Sequence, residues 1–293
     1  MFSRHFGQFL LNERIVTPGD LSRAMGRLGD ARPRVGILAI AKGYMTPAQV
    51  REVGAAQRKE DKRFGKIAID KGYLTAEKLE ELLSAQKNEH VLLGQILVED
   101  NILSHDGFLR SLELYREKSG FSSEGYEAIR DGDTDRAVAS ILTGQPGGQN
   151  PLIKAWSEIF VRNIIRFVDP AAALDPLAER DMKGSIVFTQ SMRGDREFNT
   201  FISAKEPVMA DLAQRYTDLA AGALDEIALE AIGEFLNVSN GLFTVNCSDR
   251  GVELDLLPQE QAPEDDPQVC RKPDALLPLL LPEGILWAGI CGA

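Results

Sequence analysis

Four 24-residue segments, at 5–28, 34–57, 63–86 and 92–115, lie over one another without a gap, each five residues from the next. A chain built this way is confined to stacking similar small units, because one such unit cannot bury its own apolar face. The third position of every segment is glycine (Gly7, Gly36, Gly65, Gly94), and the second is apolar (Phe6, Val35, Phe64, Leu93). The thirteenth is Thr17, Thr46, Thr75 or Ser104, side chains suited to accept the unpaired amide hydrogens at a helix start. Pro18 and Pro47 follow at the favoured first helical position, with Asp20 and Gln49 three residues past the cap, close to a capping box. Position ten is Gly43, Gly72 or Asn101, residues that tolerate the left-handed backbone closing a helix; Arg14 is the exception. The pattern predicts a helix, a turn and a second helix in each segment.

Other positions vary. The first is His5, Arg34, Arg63 and Leu92, and the last is Leu28, Gln57, Gln86 and Tyr115. Only the two middle segments hold both Arg and Gln. An arginine next to a glycine suits a phosphate or a purine, since the guanidinium makes forked or stacked contacts and the glycine admits close backbone approach. The same residues also read as exposed helix-end polar groups of a protein-binding array.

The pattern R-x-G-x-x-A-I-x-x-G-Y-[LM]-T-x(10)-Q with its five-residue spacer resembles the MshEN domain of type II secretion and type IV pilus ATPases. That resemblance covers 5–115 and implies cyclic di-GMP as ligand. Its ligand residues carry over to Arg34, Gly36, Gln57, Arg63, Gly65 and Gln86, with Gly94 as lining. The His5/Leu28 and Leu92/Tyr115 segments depart from it. Segments paired 1+2 and 3+4 would hold two half-degraded sites, and segments paired 2+3 one complete site; the middle pair is favoured.

The net charge of -11 is unevenly spread: residues 1–116 sum to +3 and 117–293 to -14. The acidic half argues against nucleic acid as partner. No apolar stretch reaches the roughly 20 residues of a membrane span, and the start of the chain does not read as a signal peptide. Cys247, Cys270 and Cys291 lack metal-type spacing and point to reduced thiols in a cytoplasmic protein.

Residues 117–150, with SGFSSEG, DGDTD and GQPGGQN, read as a linker containing a short helix near 135–142. Asp131, Asp133 and Asp135 imitate a calcium loop, but Arg136 stands where glycine is needed and Leu142 where glutamate is. The remainder, 151–293, alternates helical and strand patterns. A helix is expected over 151–168, a hairpin over 184–191 and 197–204, helices from 206 to 220 and from 225 to about 241, and strands at 252–259 and 284–290. An acidic, proline-containing loop is expected between the last two. The expected whole is multidomain: an all-α helical repeat domain (1–116), a linker, and an α/β (α+β) domain with an antiparallel sheet and long helices.

In the helix from 225, Glu230, Glu234 and Asn237 share one face, while Leu229, Ile232 and Leu236 point the other way. A solvated polar face is the plain reading of such spacing. The arrangement Glu230-x-x-x-Glu234-x-x-Asn237 with Gly241, preceded by GSIVFTQSMRGDREFNTFIS, resembles the CheX/CheC/FliY chemotaxis phosphatases. One motif copy favours the CheX type. The resemblance implies a phosphorylated response-regulator receiver as partner, which supplies the magnesium ion. It further implies Asn237 as the group orienting the attacking water, Glu234 as the docking group, and a homodimer through this domain. A non-catalytic adaptor whose CheX-like domain only docks or dimerises, and whose repeats bind protein, is the alternative.

Overall fold

The computed structural model describes residues 2–28, 34–57, 63–84, 92–218, 224–263 and 272–292; Gln86 and Cys270 lie outside these. The chain divides into two compact units: 2–119 with 130–132, and 120–129 with the rest from 133 onward.

The first unit holds eight helices among its described residues: α1 (Phe2–Asn12), α2 (Pro18–Gly26), α3 (Val35–Ala41), α4 (Pro47–Gln57), α5 (Phe64–Asp70), α6 (Ala76–Ser84), α7 (Leu92–Glu99) and α8 (His105–Lys118). Each 24-residue segment contributes two, joined by a turn. Thr17 and Asp20 form a reciprocal capping box at the start of α2. Thr46, Thr75 and Ser104 each accept a backbone amide three residues on. The tenth position is left-handed in all four segments, including Arg14 at φ 56° beside Gly43 at 70°, Gly72 at 72° and Asn101 at 57°. The turn geometry therefore overrides the residue type at Arg14.

The segments pair 2 with 3 and 1 with 4. Between the middle two, Lys42 and Tyr44 both reach Glu81 (2.6 and 2.7 Å), and the equivalent Lys71 and Tyr73 reach Glu52 (2.8 and 2.6 Å). The exchange is reciprocal, as across a local two-fold axis. Between the outer two, the Tyr115 hydroxyl meets His5 Nδ1 at 2.9 Å and Lys118 meets Glu13 at 2.7 Å. Phe2, Phe6, Phe9 and Tyr115 pack there with ring centroids 5.3–6.4 Å apart.

The second unit begins with α9 (Ser123–Asp131) and α10 (Thr134–Leu142), followed by α11 (Pro151–Phe167). The linker expected over 117–150 is thus largely helical, with α10 packed on α11 and the sheet. Asp133 caps α10 and Asp135 pairs with Arg162 at 2.5 Å, which accounts for two of the three aspartates read against a calcium loop. Gly148 marks close approach rather than slack: a Cβ there would sit 2.2 Å from the Leu142 carbonyl oxygen.

The strands are β1 (Ala173–Leu174), β2 (Ile186–Gly194), β3 (Glu197–Ala204), β4 (Leu254–Leu256), β5 (Glu260–Ala262), β6 (Ala275–Leu281) and β7 (Gly284–Gly292). They form one antiparallel sheet in the order β1-β6-β7-β3-β2-β4, with β5 also on β2. Two strands fall where a loop was expected. In β6, Pro278 is tolerated because its carbonyl, and with it the position of its missing amide hydrogen, faces the short β1, where Asp175 N–H donates to it at 2.9 Å. Beyond β1, the Gln145 side chain stands in for a strand, donating to Leu276 O at 3.0 Å and accepting from Leu276 N at 2.7 Å.

Helices α12 (Glu206–Thr217) and α13 (Glu226–Ser248) complete the unit. α13 packs against α11, α12, β2 and β4. It runs past Gly241 because Phe243 and Cys247 continue the buried stripe of Ile232, Leu236 and Ser239. That burial outweighs the roughly 1 kcal/mol cost of a mid-helix glycine. Cys247 is buried and free, its thiol pushed up to about 11 by burial. Cys291 is disulfide-bonded, which departs from the expectation of reduced thiols throughout. No helix among the described residues is long and apolar enough to cross a membrane.

Candidate functional site

α13 carries the site of the second unit. Asp225 caps its start, accepting from Ala228 N at 2.9 Å. The buried stripe described above turns Glu230 and Glu234 to solvent and leaves Asn237 half-buried at the flank nearest β2. Glu234 and Asn237 come together: Asn237 Nδ2 donates to Glu234 Oε2 at 3.2 Å. Glu230 is exposed one turn away. The exposed side of the helix also carries Ile227 (62% exposed), Leu242 (45%) and Val245 (61%), so the polar pair shares it with apolar side chains as well as with Glu230. Tyr216 of α12 lies beside it; burial first, and then the negative charge of Glu234, push its phenol above the ordinary value.

Below the pair lies a chain of buried amides invisible to the sequence reading. Gln190 of β2 is 2% exposed, and its Nε2 donates to Asn237 Oδ1 at 2.8 Å and to Leu257 O at 2.9 Å. Its Oε1 accepts from Asn240 Nδ2 at 2.8 Å. Asn240, fully buried, also donates to Thr200 Oγ1 at 2.8 Å and accepts from Trp156 Nε1 at 2.9 Å. Gln190 and Thr200 are direct cross-strand partners on β2 and β3, which places both under α13. The available signals were Asn240 one turn beyond Asn237 and a glutamine inside the apolar run of β2. Among the described residues no cluster of three His, Cys, Asp or Glu side chains could hold a metal ion.

In the first unit, Arg34 and Arg63 both sit at helix N-caps, of α3 and α5, with no side-chain cap bond. The Arg34 side chain is 72% exposed and pairs through Nε with Glu99 at 3.0 Å, while its backbone amide donates to Gln95 Oε1 at 2.5 Å. Arg63 and Gln57 are exposed. The glycines are buried and have a packing use. A Cβ on Gly65 would lie 2.7 Å from Leu79, one on Gly94 2.0 Å from the Phe108 ring, and one on Gly36 3.0 Å from Val50 and 3.1 Å from Phe64. In each segment the glycine thus lets the second helix lie against the first.

No family model and no curated protein matches the sequence. Solved structures resemble part of it. A CheC-like superfamily protein from Shewanella sp. PV-4 is 15% identical, with TM-score 0.37, over 48% of this chain and 97% of that one. Chemotaxis protein CheX from Vibrio vulnificus is 14% identical, with TM-score 0.39, over 49% of this chain and 97% of that one. A complex of CheX with CheY, BeF3 and magnesium from Borrelia burgdorferi is 15% identical, with TM-score 0.39, over 48% of this chain and 97% of its matched chain.

Proposed function

We propose that the second unit removes the phosphoryl group from a phosphorylated response-regulator receiver, and that the first unit binds cyclic di-GMP. The observation that carries the first part is the amide of Asn237. It is fixed from beneath by Gln190, yet it stands beside the exposed carboxylate of Glu234 on the solvent side of the helix. A solvated polar face needs no such anchoring.

The arrangement suits in-line hydrolysis of an aspartyl phosphate. Water forms the new bond to phosphorus as the acyl-phosphate P–O bond breaks, giving inorganic phosphate and a regenerated carboxylate. Such a reaction needs little beyond positioning and charge. Asn237 orients the water and Glu234 meets a cation of the receiver, while Ile227, Leu242 and Val245 supply the apolar contact. The magnesium ion belongs to the receiver. Incubating the protein with phosphorylated receiver domains tests this: Asn237→Ala should abolish the accelerated decay, and decay unaffected by that change removes the proposal.

What supports the nucleotide reading is the pairing of segments 2 and 3. In the outer pair, positions 1 and 24 meet as His5 and Tyr115, buried among aromatic rings. The corresponding positions of the middle pair include Arg63 and Gln57, both exposed. Calorimetry with cyclic di-GMP should give saturable heat for the wild type and none for Arg63→Ala. A wild type silent at saturating ligand ends this part of the reading.

A further inference from the structure

We infer that Gln190 is a positioning residue that fixes which end of the Asn237 amide faces outward; the inference rests on the phosphatase reading of this same site. Carboxamides can be turned end for end without changing their shape, so orientation must come from their neighbours. Here it propagates from a group with no choice. The indole Nε1–H of Trp156 can only donate, so Asn240 must turn Oδ1 towards it. Asn240 Nδ2 then faces Gln190 Oε1. Gln190 Nε2 in turn faces Asn237 Oδ1, and the Leu257 carbonyl, which can only accept, demands the same sense independently. Asn237 is left with Oδ1 inward and Nδ2–H2 towards Glu234 and the surface.

The consequence is chemical. The outward group is a donor pair, so Asn237 offers hydrogen bonds to a lone pair of the attacking water or to a phosphoryl oxygen, while Glu234 is the acceptor beside it. A freely rotating amide would present its oxygen part of the time. Burial of Gln190, Asn240 and Thr200 excludes the water that could otherwise satisfy the amide either way round.

The test uses the full chain with two variants of near-equal side-chain length, so that failure of one to fold leaves the other. Gln190→Met removes the donor, and Gln190→Glu replaces it with oxygen. With a receiver domain phosphorylated by acetyl phosphate, kcat should fall about tenfold or more, by analogy with the losses on removing outer-shell partners of metal ligands. KM should stay within about twofold. Nitrogen relaxation of the Asn237 side-chain amide should show order in the wild type and rapid reorientation in Gln190→Met, whereas the carboxylate of Gln190→Glu should hold the amide reversed, with Nδ2 donating inward. Unchanged kcat in both Gln190 variants with Asn237→Ala inactive overturns the inference. If Asn237→Ala retains full activity, the phosphatase reading itself fails, and the relaxation measurement still decides the positioning: an amide equally ordered in Gln190→Met sinks it.

Discussion

The outer and middle pairs of segments share one scaffold and differ in what closes it. Both pairs bury a glycine under the second helix of its own segment and place position two of the partner segment beside it, Leu93 against Gly7 and Phe64 against Gly36. The outer pair then fills its interior with Phe2, Phe6, Phe108 and Tyr115. The middle pair buries aliphatic side chains such as Leu38, Ile40, Val53 and Leu82, adds Lys–Glu and Tyr–Glu contacts at its rim, and keeps its arginines at the surface. One backbone pattern therefore supports an aromatic core in one place and, in the other, an aliphatic core with a polar rim. The difference sits at a few positions rather than in the fold.

Four measurements would break or sharpen that contrast. The largest effect is expected at Phe6, which is fully buried among rings: Phe6→Ala should cost about 3–5 kcal/mol in denaturant unfolding of the first unit. A loss below 1 kcal/mol would show that the aromatic cluster is not the main source of stability. Next, Gly94→Ala should cost about 1–3 kcal/mol, because its methyl would overlap the Phe108 ring. Gly36→Ala, with contacts at 3.0 and 3.1 Å, should cost clearly less; equal costs would erase the distinction between a full and a looser interior. Third, Arg14→Gly should stabilise by about 1 kcal/mol, since a left-handed non-glycine residue is strained.

The smallest effect concerns Glu52 and Glu81. Hydrogen bonds from Lys71 and Lys42, then from Tyr73 and Tyr44, hold both carboxyls below the ordinary value. A depressed folded value stabilises above the unfolded one, near 4.5, and that contribution fades as pH falls through the folded value. The acid-side slope of stability should therefore flatten in Glu52→Gln/Glu81→Gln. Because both groups are exposed, the gain should also shrink in high salt. An unchanged slope would detach these contacts from the pairing.

Much of this was legible in residue order, for stated reasons. Helix starts at Thr17, Thr46 and Ser104 depend on local chemistry and were found. The hairpin β2–β3 and helix α11 follow from periodicity and fall within a few residues of expectation. Three features were not legible because they depend on distant partners. β6 carries a proline that normally argues against a strand, and only the shortness of β1 makes it harmless. The segment 117–150 has the composition of a linker, yet Gly125, Gly147 and Gly148 serve close contacts and Gln145 completes a sheet. At the site, Glu234 and Asn237 could be read from helical spacing, whereas Gln190 and Trp156 are brought beneath them by the fold from far along the chain. The glycines at position three illustrate the opposite hazard: a residue suited to ligand approach is equally suited to helix packing.

The boundary of the sheet at β6 has a consequence for the life of this chain in a crowded solution. ALLPLLL is a seven-residue apolar run with no charge, the composition of a segment prone to cross-chain strand pairing. Its open side is occupied in turn by Asp175 and by the amide of Gln145, and Pro278 has no hydrogen to offer an intruding strand. The proline that hides this strand from a reader of the sequence also denies a neighbouring molecule the hydrogen-bond ladder it would need, so the same residue acts as a gatekeeper against aggregation while the protein folds.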